Sequence, residues 1–344
     1  MAASSTCLPA PEPSARERPG CPAWRFDPPL RRTGWVVEEA LPLARFLEDV
    51  GARCGIDAGG VDRLLHHGGL HLAGRPWAPE RAPASVAAGT WVVAWSFLRE
   101  PEAVPLPEGA LLLDAGGVVA VQKPAWLPVQ GTRASRRLSL EAALRERLGC
   151  PTLAAAHRLD RETSGVVLFA RERWAAAHLA SELAARRVEK IYHAVVSPAP
   201  SRDAWEVKGW VERAPDPRRI RFRLSPTPRP GGRPSETRFR VLDRGAEGAL
   251  IEAVPVTGRS HQIRVHLAAG GTPIAGDALY GGEAAARRAE RLQLHATSLQ
   301  LRLAPEEAAR RLLVAPPPAD FAAGLGGGGP SAETAQRLGL HHGV

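Results

Sequence analysis

Apolar residues in the first hundred positions follow two different spacings. Leu43, Phe46 and Leu47 recur at three and four residues, which marks one face of a helix, and Val61, Leu64 and Leu65 repeat the pattern on a second helix. Gly68 and Gly69 stop that helix. Leu70-His71-Leu72 then reads as a short extended segment turned at Gly74, and residues 91–95, after Gly89, as a returning strand. Residues 1–33 are rich in Pro, Ser, Ala and Arg and poor in aliphatics, so a disordered leader is expected there, with Trp35 opening the first apolar pattern. Pro101, Pro105 and Pro107 make 98–110 a linker between a small domain (34–97) and a large one (111–315). In the large domain, strand-like runs at 117–121, 165–170, 191–196, 239–242 and 249–254 are interrupted by helical patterns at 138–148 and 174–187. Strands with a few helices, and no strict alternation, predict an α+β fold: a mixed, largely antiparallel sheet flanked by helices, preceded by a small α+β domain. Residues 213–234, dense in Pro, Arg and Gly, read as an exposed basic loop. Residues 316–344, with a Pro run and the glycines of 324–329, read as a flexible tail carrying a short helix.

Charge adds a partner class to this picture. The 344 residues hold 45 Lys and Arg against 36 Asp and Glu, a net charge of +9. A basic surface attracts polyanions, of which nucleic acid is the commonest, although an Arg-rich solvated surface alone would give the same balance. Cys7, Cys21, Cys54 and Cys150 lie far apart without paired metal-ligand spacing and read as reduced thiols of a cytoplasmic protein. No apolar run reaches 18 residues, so no membrane span is expected, and the N-terminus has no secretory signal pattern. His261 and His266 stand five apart with no third ligand in view, so no metal is expected. The glycines of 324–329 lack the Lys-Ser or Lys-Thr of a phosphate loop.

The chemistry concentrates in His157-Arg158-Leu159-Asp160-Arg161-Glu162-Thr163-Ser164-Gly165, which runs directly into the apolar Val166-Val167-Leu168-Phe169. So many polar groups leading into a buried strand are costly unless partnered. A structural reading makes them a turn in which Thr163 and Ser164 satisfy local backbone groups; a functional one makes Asp160 a catalytic carboxylate. Ile263 and Val265 alternate around Arg264 as in a strand, which would set Arg264 and His266 on one face and His261 on the other.

The nine-residue segment resembles the active-site motif of RluA-type pseudouridine synthases, His-Arg-Leu-Asp-x-x-Thr-Ser-Gly, at every fixed position. Lys123-Pro124 with Leu127-Pro128, Lys190-Ile191-Tyr192, the run from Gly258 through Arg259-Ser260-His261-Gln262-Ile263-Arg264-Val265-His266 to Leu267, Gly276-Asp277 with Tyr280-Gly281, and Leu294-His295-Ala296 follow in that family's order. The resemblance covers about 112–315. It implies an isomerase that needs no cofactor and turns uridine into pseudouridine in ribosomal or transfer RNA, acting as a monomer. It also implies Asp160 as catalytic carboxylate, aided by Tyr192 and Arg264, with Arg158, Lys123, Lys190, Arg259, His261 and Gln262 as substrate contacts. Trp126 stands where the family has Gly, at a position suited to a positive φ that Trp adopts only at a cost. Residues 41–97 resemble the small RNA-binding domain named after a ribosomal small-subunit protein. Its expected basic helix face is thin, with Arg45, Arg53 and Arg63 as main cations. Two other readings compete. A non-catalytic RNA-binding protein in ribosome assembly would not need Asp160, Tyr192 and Arg264 together. A glycoside hydrolase would need a carboxylate pair, for which Glu162 is the near candidate.

Overall fold

A computed structural model of the chain describes residues 30–338, apart from 79, 81, 98, 217–220, 323–324 and 326–330. It divides into two compact units, Met1–Val104 with Gln130–Gly149, and Pro105–Val129 with Cys150–Val344. Residues 130–149, assigned from sequence to the large domain, therefore group with the small one.

The first unit contains β1 (Leu30–Val36), β2 (Leu41–Pro42), α1 (Leu43–Cys54), α2 (Ala58–His67), β3 (Leu70–Leu72), β4 (Arg75–Pro76), β5 (Ser85–Val86), β6 (Trp91–Phe97) and α3 (Leu140–Arg147). Asp57 caps α2 by accepting from the Gly60 N–H, and Gly68 closes it in the left-handed conformation, as the sequence anticipates. The two helices pack Phe46, Val50 and Leu64 against Trp35, Leu70, Val92 and Ala94 of a sheet ordered β1-β6-β3-β4. The expected leader falls mostly outside the described residues, but its last part, Leu30 to Thr33, is strand. There β1 pairs antiparallel with β6, Leu30 opposite Phe97 through Val36 opposite Trp91. Backbone pairing orders a stretch whose Arg-rich side chains gave no apolar signal.

The second unit contains β7 (Leu111–Ala115), β8 (Val118–Lys123), β9 (Ala154–Ala155), β10 (Ser164–Ala170), α4 (Arg173–Ala184), β11 (Glu189–Val196), β12 (Ala204–Arg213), β13 (Phe222–Ser225), β14 (Arg233–Arg244), β15 (Ala249–Pro255), α5 (Gln262–Ala269), α6 (Gly282–Ala286), β16 (Leu294–Leu301), β17 (Arg311–Val314) and α7 (Ala332–Leu338). Its sheet runs β13-β12-β14-β15-β11-β16-β10-β8-β7, with β17 beside β16 and β9 beside β10. Among the described residues every pairing in it is antiparallel except β10 with β16. The expected fold class is therefore the observed one. β10 is buried on both faces, which explains its unbroken apolar run.

Two segments depart from expectation. The supposed basic loop of 213–234 contains β13, paired with β12 through Trp210 opposite Ser225, so Arg and Pro flank a hairpin that the composition hid. In the supposed tail, Phe321, Ala322 and Leu325 bury against Val195, Leu250 and Ala275, although most of the glycine run lies outside the described residues. Scattered apolar residues between glycines carry no period, so their packing is invisible to pattern. Among the described residues no helix is long and apolar enough to cross a membrane.

Candidate active site

The segment from His157 to Thr163 connects β9 to β10 and is anchored at both ends. His157 Nε2 accepts the Leu168 N–H at 3.1 Å, and burial, with the Lys190 charge, pushes its pKa down to about 4. At the other end Ser164 and Gly165 meet His295 and Ala296 in the one parallel pairing. Gly165 has φ +121°, and a Cβ there would lie 2.2 Å from the Ala296 carbonyl oxygen, so only glycine permits this approach. The Ser164 hydroxyl meets His295 Nδ1 at 2.9 Å, and His295 Nε2 meets the Ala315 carbonyl at 3.0 Å. A carbonyl only accepts, so the ring hydrogen sits on Nε2 and Nδ1 accepts from the serine.

His295 is fully buried, and burial pushes its pKa to about 4. Its native pKa lies below the unfolded value, so the stability it contributes is complete above about pH 6.5 and is lost as pH falls toward 4. Over that window the slope from this one ring is about 1.4 kcal/mol per pH unit. Urea unfolding of wild type and His295→Gln between these limits is expected to show a shallower pH dependence in the variant; equal slopes would contradict this account.

Arg264 organises the rest. It lies in the first turn of α5, not on a strand. The alternation of Ile263, Val265 and Leu267 suggested a strand, but α5 is buried all round, so its apolar residues keep no single face. Helical spacing turns Gln262 and His266 toward β14, where Gln262 Nε2 donates to the Glu236 carbonyl and Thr237 Oγ1, and His266 Nε2 meets Ser235 Oγ, each at 2.9 Å. Ile263 and Leu267 enter the core. Arg264, 3% exposed, points at carboxylates: Nε and Nη2 donate to the two oxygens of Asp277, both at 2.8 Å, and Nη1 donates to Asp160 Oδ2 at 3.0 Å. Nη2 also lies 3.7 Å from Glu162 Oε2. A fully buried Asp277 thus takes the planar fork, and its Oδ1 also accepts the N–H groups of Leu279 and Tyr280.

Asp160 itself remains partly exposed. Burial pushes its carboxyl up, but His261, Arg264 and Arg158 outweigh this and hold it below the usual aspartate value. His261, at the N-cap of α5 with φ 54°, puts Nε2 3.6 Å from Asp160 Oδ1. Its Nδ1 lies 2.7 Å from the Tyr280 hydroxyl, which already accepts the Phe222 N–H at 3.1 Å. The Asp160 carboxylate facing Nε2 favours the ring hydrogen there, in which case Nδ1 accepts from that hydroxyl. The strand reading had set His261 and Arg264 on opposite faces; the helix start brings both to the same carboxylate. Tyr192, on β11 where the register with β16 shifts, is near enough that burial and the Asp160 charge both raise its phenol pKa.

Two expected substrate contacts are occupied otherwise. Lys123 is fully buried, and its Nζ donates to the carbonyls of Pro124 at 2.9 Å, Leu127 at 2.8 Å and Arg161 at 3.0 Å. An ammonium has three hydrogens, so it ties two loops together and has none to offer. The Gln262 side chain accepts from Thr257 Oγ1 and the Arg259 N–H while donating to β14, so it fixes the 257–262 turn. Arg158 is exposed, and Lys190 and Arg259 are partly so; Arg259 Nε donates to the Pro234 carbonyl. Trp126 adopts φ 70°, keeping the backbone expected of a glycine, and its indole is buried rather than open to a ligand. That conformation costs roughly 1–2 kcal/mol, which burial of a large ring offsets. Asp277 and Tyr280 were visible in the sequence only as a short motif, without roles. Among the described residues no group of three or more His, Cys, Asp or Glu could hold a metal ion.

Residues 117–269 match the family model for RNA pseudouridylate synthase. The chain is 36% identical over 200 residues to the ribosomal large subunit pseudouridine synthase C of Vibrio cholerae, covering 56% of this chain and 61% of that protein. It is 35% identical over 188 residues to the dual-specificity RNA pseudouridine synthase RluA of Vibrio cholerae, covering 53% of this chain and 72% of that one. It thus spans about three fifths of the length of the first of these relatives. Among solved structures it resembles human RNA pseudouridylate synthase domain containing 1, with TM-score 0.55 and 25% identity over 72% of this chain and 100% of that chain. It also resembles human RNA pseudouridylate synthase domain containing 4, with TM-score 0.52 and 26% identity over 68% and 95%.

Proposed function

Since the chain belongs to the RNA pseudouridylate synthase family, we propose that it isomerises uridine to pseudouridine in ribosomal or transfer RNA, with Asp160 as the catalytic carboxylate. The observation that carries this reading is one solvent-reaching carboxylate held ionised by a buried arginine. The reaction breaks the bond from ribose to the uracil nitrogen, turns the base and forms a bond to its C5 carbon; C5 gives up its hydrogen and the freed nitrogen gains one. Atoms and charge balance within the nucleoside, so no co-reactant is required. Attack on the anomeric carbon and removal of the 2′ hydrogen both need a charged carboxylate. The substrate base must leave its stack to reach Asp160. The Tyr192 ring offers a flat surface for it, and a phenol whose pKa is raised serves as a hydrogen donor rather than a base. Arg158, Lys190 and Arg259 supply positive charge for the RNA backbone.

Mapping pseudouridine in total RNA with and without the gene tests the reading. One or more positions are expected to revert to uridine in the deletion; an unchanged map refutes it and leaves a non-catalytic RNA-binding role. The purified protein is also expected to keep full activity after exhaustive chelation, and activity lost to a chelator and restored by a metal ion would overturn that expectation.

A further inference from the structure

The small sheet of the first unit buries one face and shows the other. Along β6, Val92 and Ala94 are buried under the helices, while Trp91, Val93 and Trp95 alternate away from them. Trp91 is 44% exposed. Its indole lies across Gly34 of β1, where a Cβ would come within 3.1 Å of the ring. β1 therefore carries glycine where a flat ring rests on its backbone. Arg32, opposite Trp95 in the β1–β6 register, holds its guanidinium 5.7 Å from the Trp95 ring centre, and Arg133 holds a second at 5.8 Å. The Arg133 carbonyl is fastened to His71 Nε2 at 3.0 Å, and His71 pairs with Val93 on the same sheet.

Cations on the helices are placed differently. Arg45 lies 3.0 Å from Glu48, Arg53 2.7 Å from Asp49 and Arg63 3.8 Å from Glu100. Among the described residues neither Arg32 nor Arg133 has a carboxylate partner. The three helix cations named from sequence thus lie beside carboxylates, whereas Arg32 and Arg133 lie beside an indole of the sheet.

We propose that this sheet face binds a single-stranded stretch of the substrate RNA, with bases stacked on Trp91 and Trp95 and phosphates on Arg32 and Arg133. The proposal rests on the reading of RNA as substrate. Flat rings interleaved with guanidinium groups are the surface that unpaired nucleotides need, since every base has a face to stack and every linkage a charge to neutralise. An apolar protein partner would instead desolvate two arginines without supplying an anion.

Fluorescence anisotropy of the full chain with a short unstructured RNA and a duplex of equal length tests it. Trp91→Ala and Arg32→Glu are each expected to weaken single-strand binding about tenfold or more, with duplex binding much less affected. Trp91→Phe, which keeps a ring, is expected to bind close to wild type. Wild-type affinity in Trp91→Ala and Arg32→Glu overturns the proposal, as does a wild-type dimer that these substitutions dissociate, since the face would then join two copies. Should the variants fail to fold, wild-type chain crosslinked to RNA carrying 4-thiouridine decides: adducts on peptides of β1 or β6 support the site, and adducts confined elsewhere remove it. Pseudouridine formation is followed in parallel. RNA binding lost in Trp91→Ala with no pseudouridine from wild type sinks the catalytic reading alone, whereas wild-type turnover and affinity in Trp91→Ala sinks the sheet face alone.

Discussion

Asp160→Asn is expected to reduce pseudouridine formation by more than about a thousandfold while the protein stays folded and binds RNA. The amide has nearly the carboxylate's shape but can neither attack carbon nor take a hydrogen. Folding survives because the Arg264 fork is engaged by Asp277 and only its third arm reaches Asp160, so the buried cation keeps its principal partner. Titration sharpens the expectation. The Asp160 carboxyl is held below its usual value, so its charged form is lost only as pH falls beneath the ordinary aspartate range. The acid limb of kcat/KM should lie there, not near neutrality, and His261, held below its ordinary value by burial, should be uncharged at pH 7. Turnover by purified Asp160→Asn above a mock preparation would remove Asp160 from the chemistry.

Arg264→Lys and Arg264→Ala should separate positioning from folding. Lysine keeps the charge but has no fork, so it cannot hold Asp277 through two parallel bonds and also reach Asp160. The single-turnover rate at saturating RNA is expected to fall about a hundredfold or more, because a carboxylate displaced by an ångström loses its line to the sugar. Alanine goes further. It strands Asp277, fully buried, without a counter-charge, and breaking such a pair typically costs about 3–5 kcal/mol of stability. Arg264→Ala should therefore unfold at markedly lower urea as well as lose turnover. An arginine that merely gripped RNA phosphate would behave otherwise: both variants would raise KM, leave the saturated rate intact and unfold like wild type.

Much of this site was legible because its residues lie in short contiguous runs. The His157–Gly165 segment and its apolar continuation mark a polar loop entering a buried strand, and the structure places Asp160, His261 and Arg264 together. What pattern could not supply were partners distant in sequence. Asp277 claims the arginine fork through a contact that no local spacing encodes. The family resemblance implies Lys123 as a substrate contact; only the fold shows three carbonyls converging on it. Secondary structure failed where burial was complete, since a short helix that is apolar on several sides and a buried strand give the same run of hydrophobic residues. At Trp126 the sequence broke the expected glycine rule, yet the backbone kept the glycine conformation, because burial of the indole opposes the strain.

The parallel contact of β10 with β16 also orders events in time. Ser164 and His295 stand 131 positions apart, so the loop that holds Asp160 acquires its second anchor only when the last part of the sheet has been made and has found its neighbour. Closing so long a loop carries an entropic cost that local hairpins such as β7–β8 do not meet, which makes this junction a late step in assembly. A nascent chain should therefore form its β7–β8 hairpin, and can pair β8 with β10, before it has a competent centre. In pulsed hydrogen exchange during refolding, the amides of β7 and β8 should gain protection ahead of those at Ser164 and Gly165, and the enzyme should become active only with the latter.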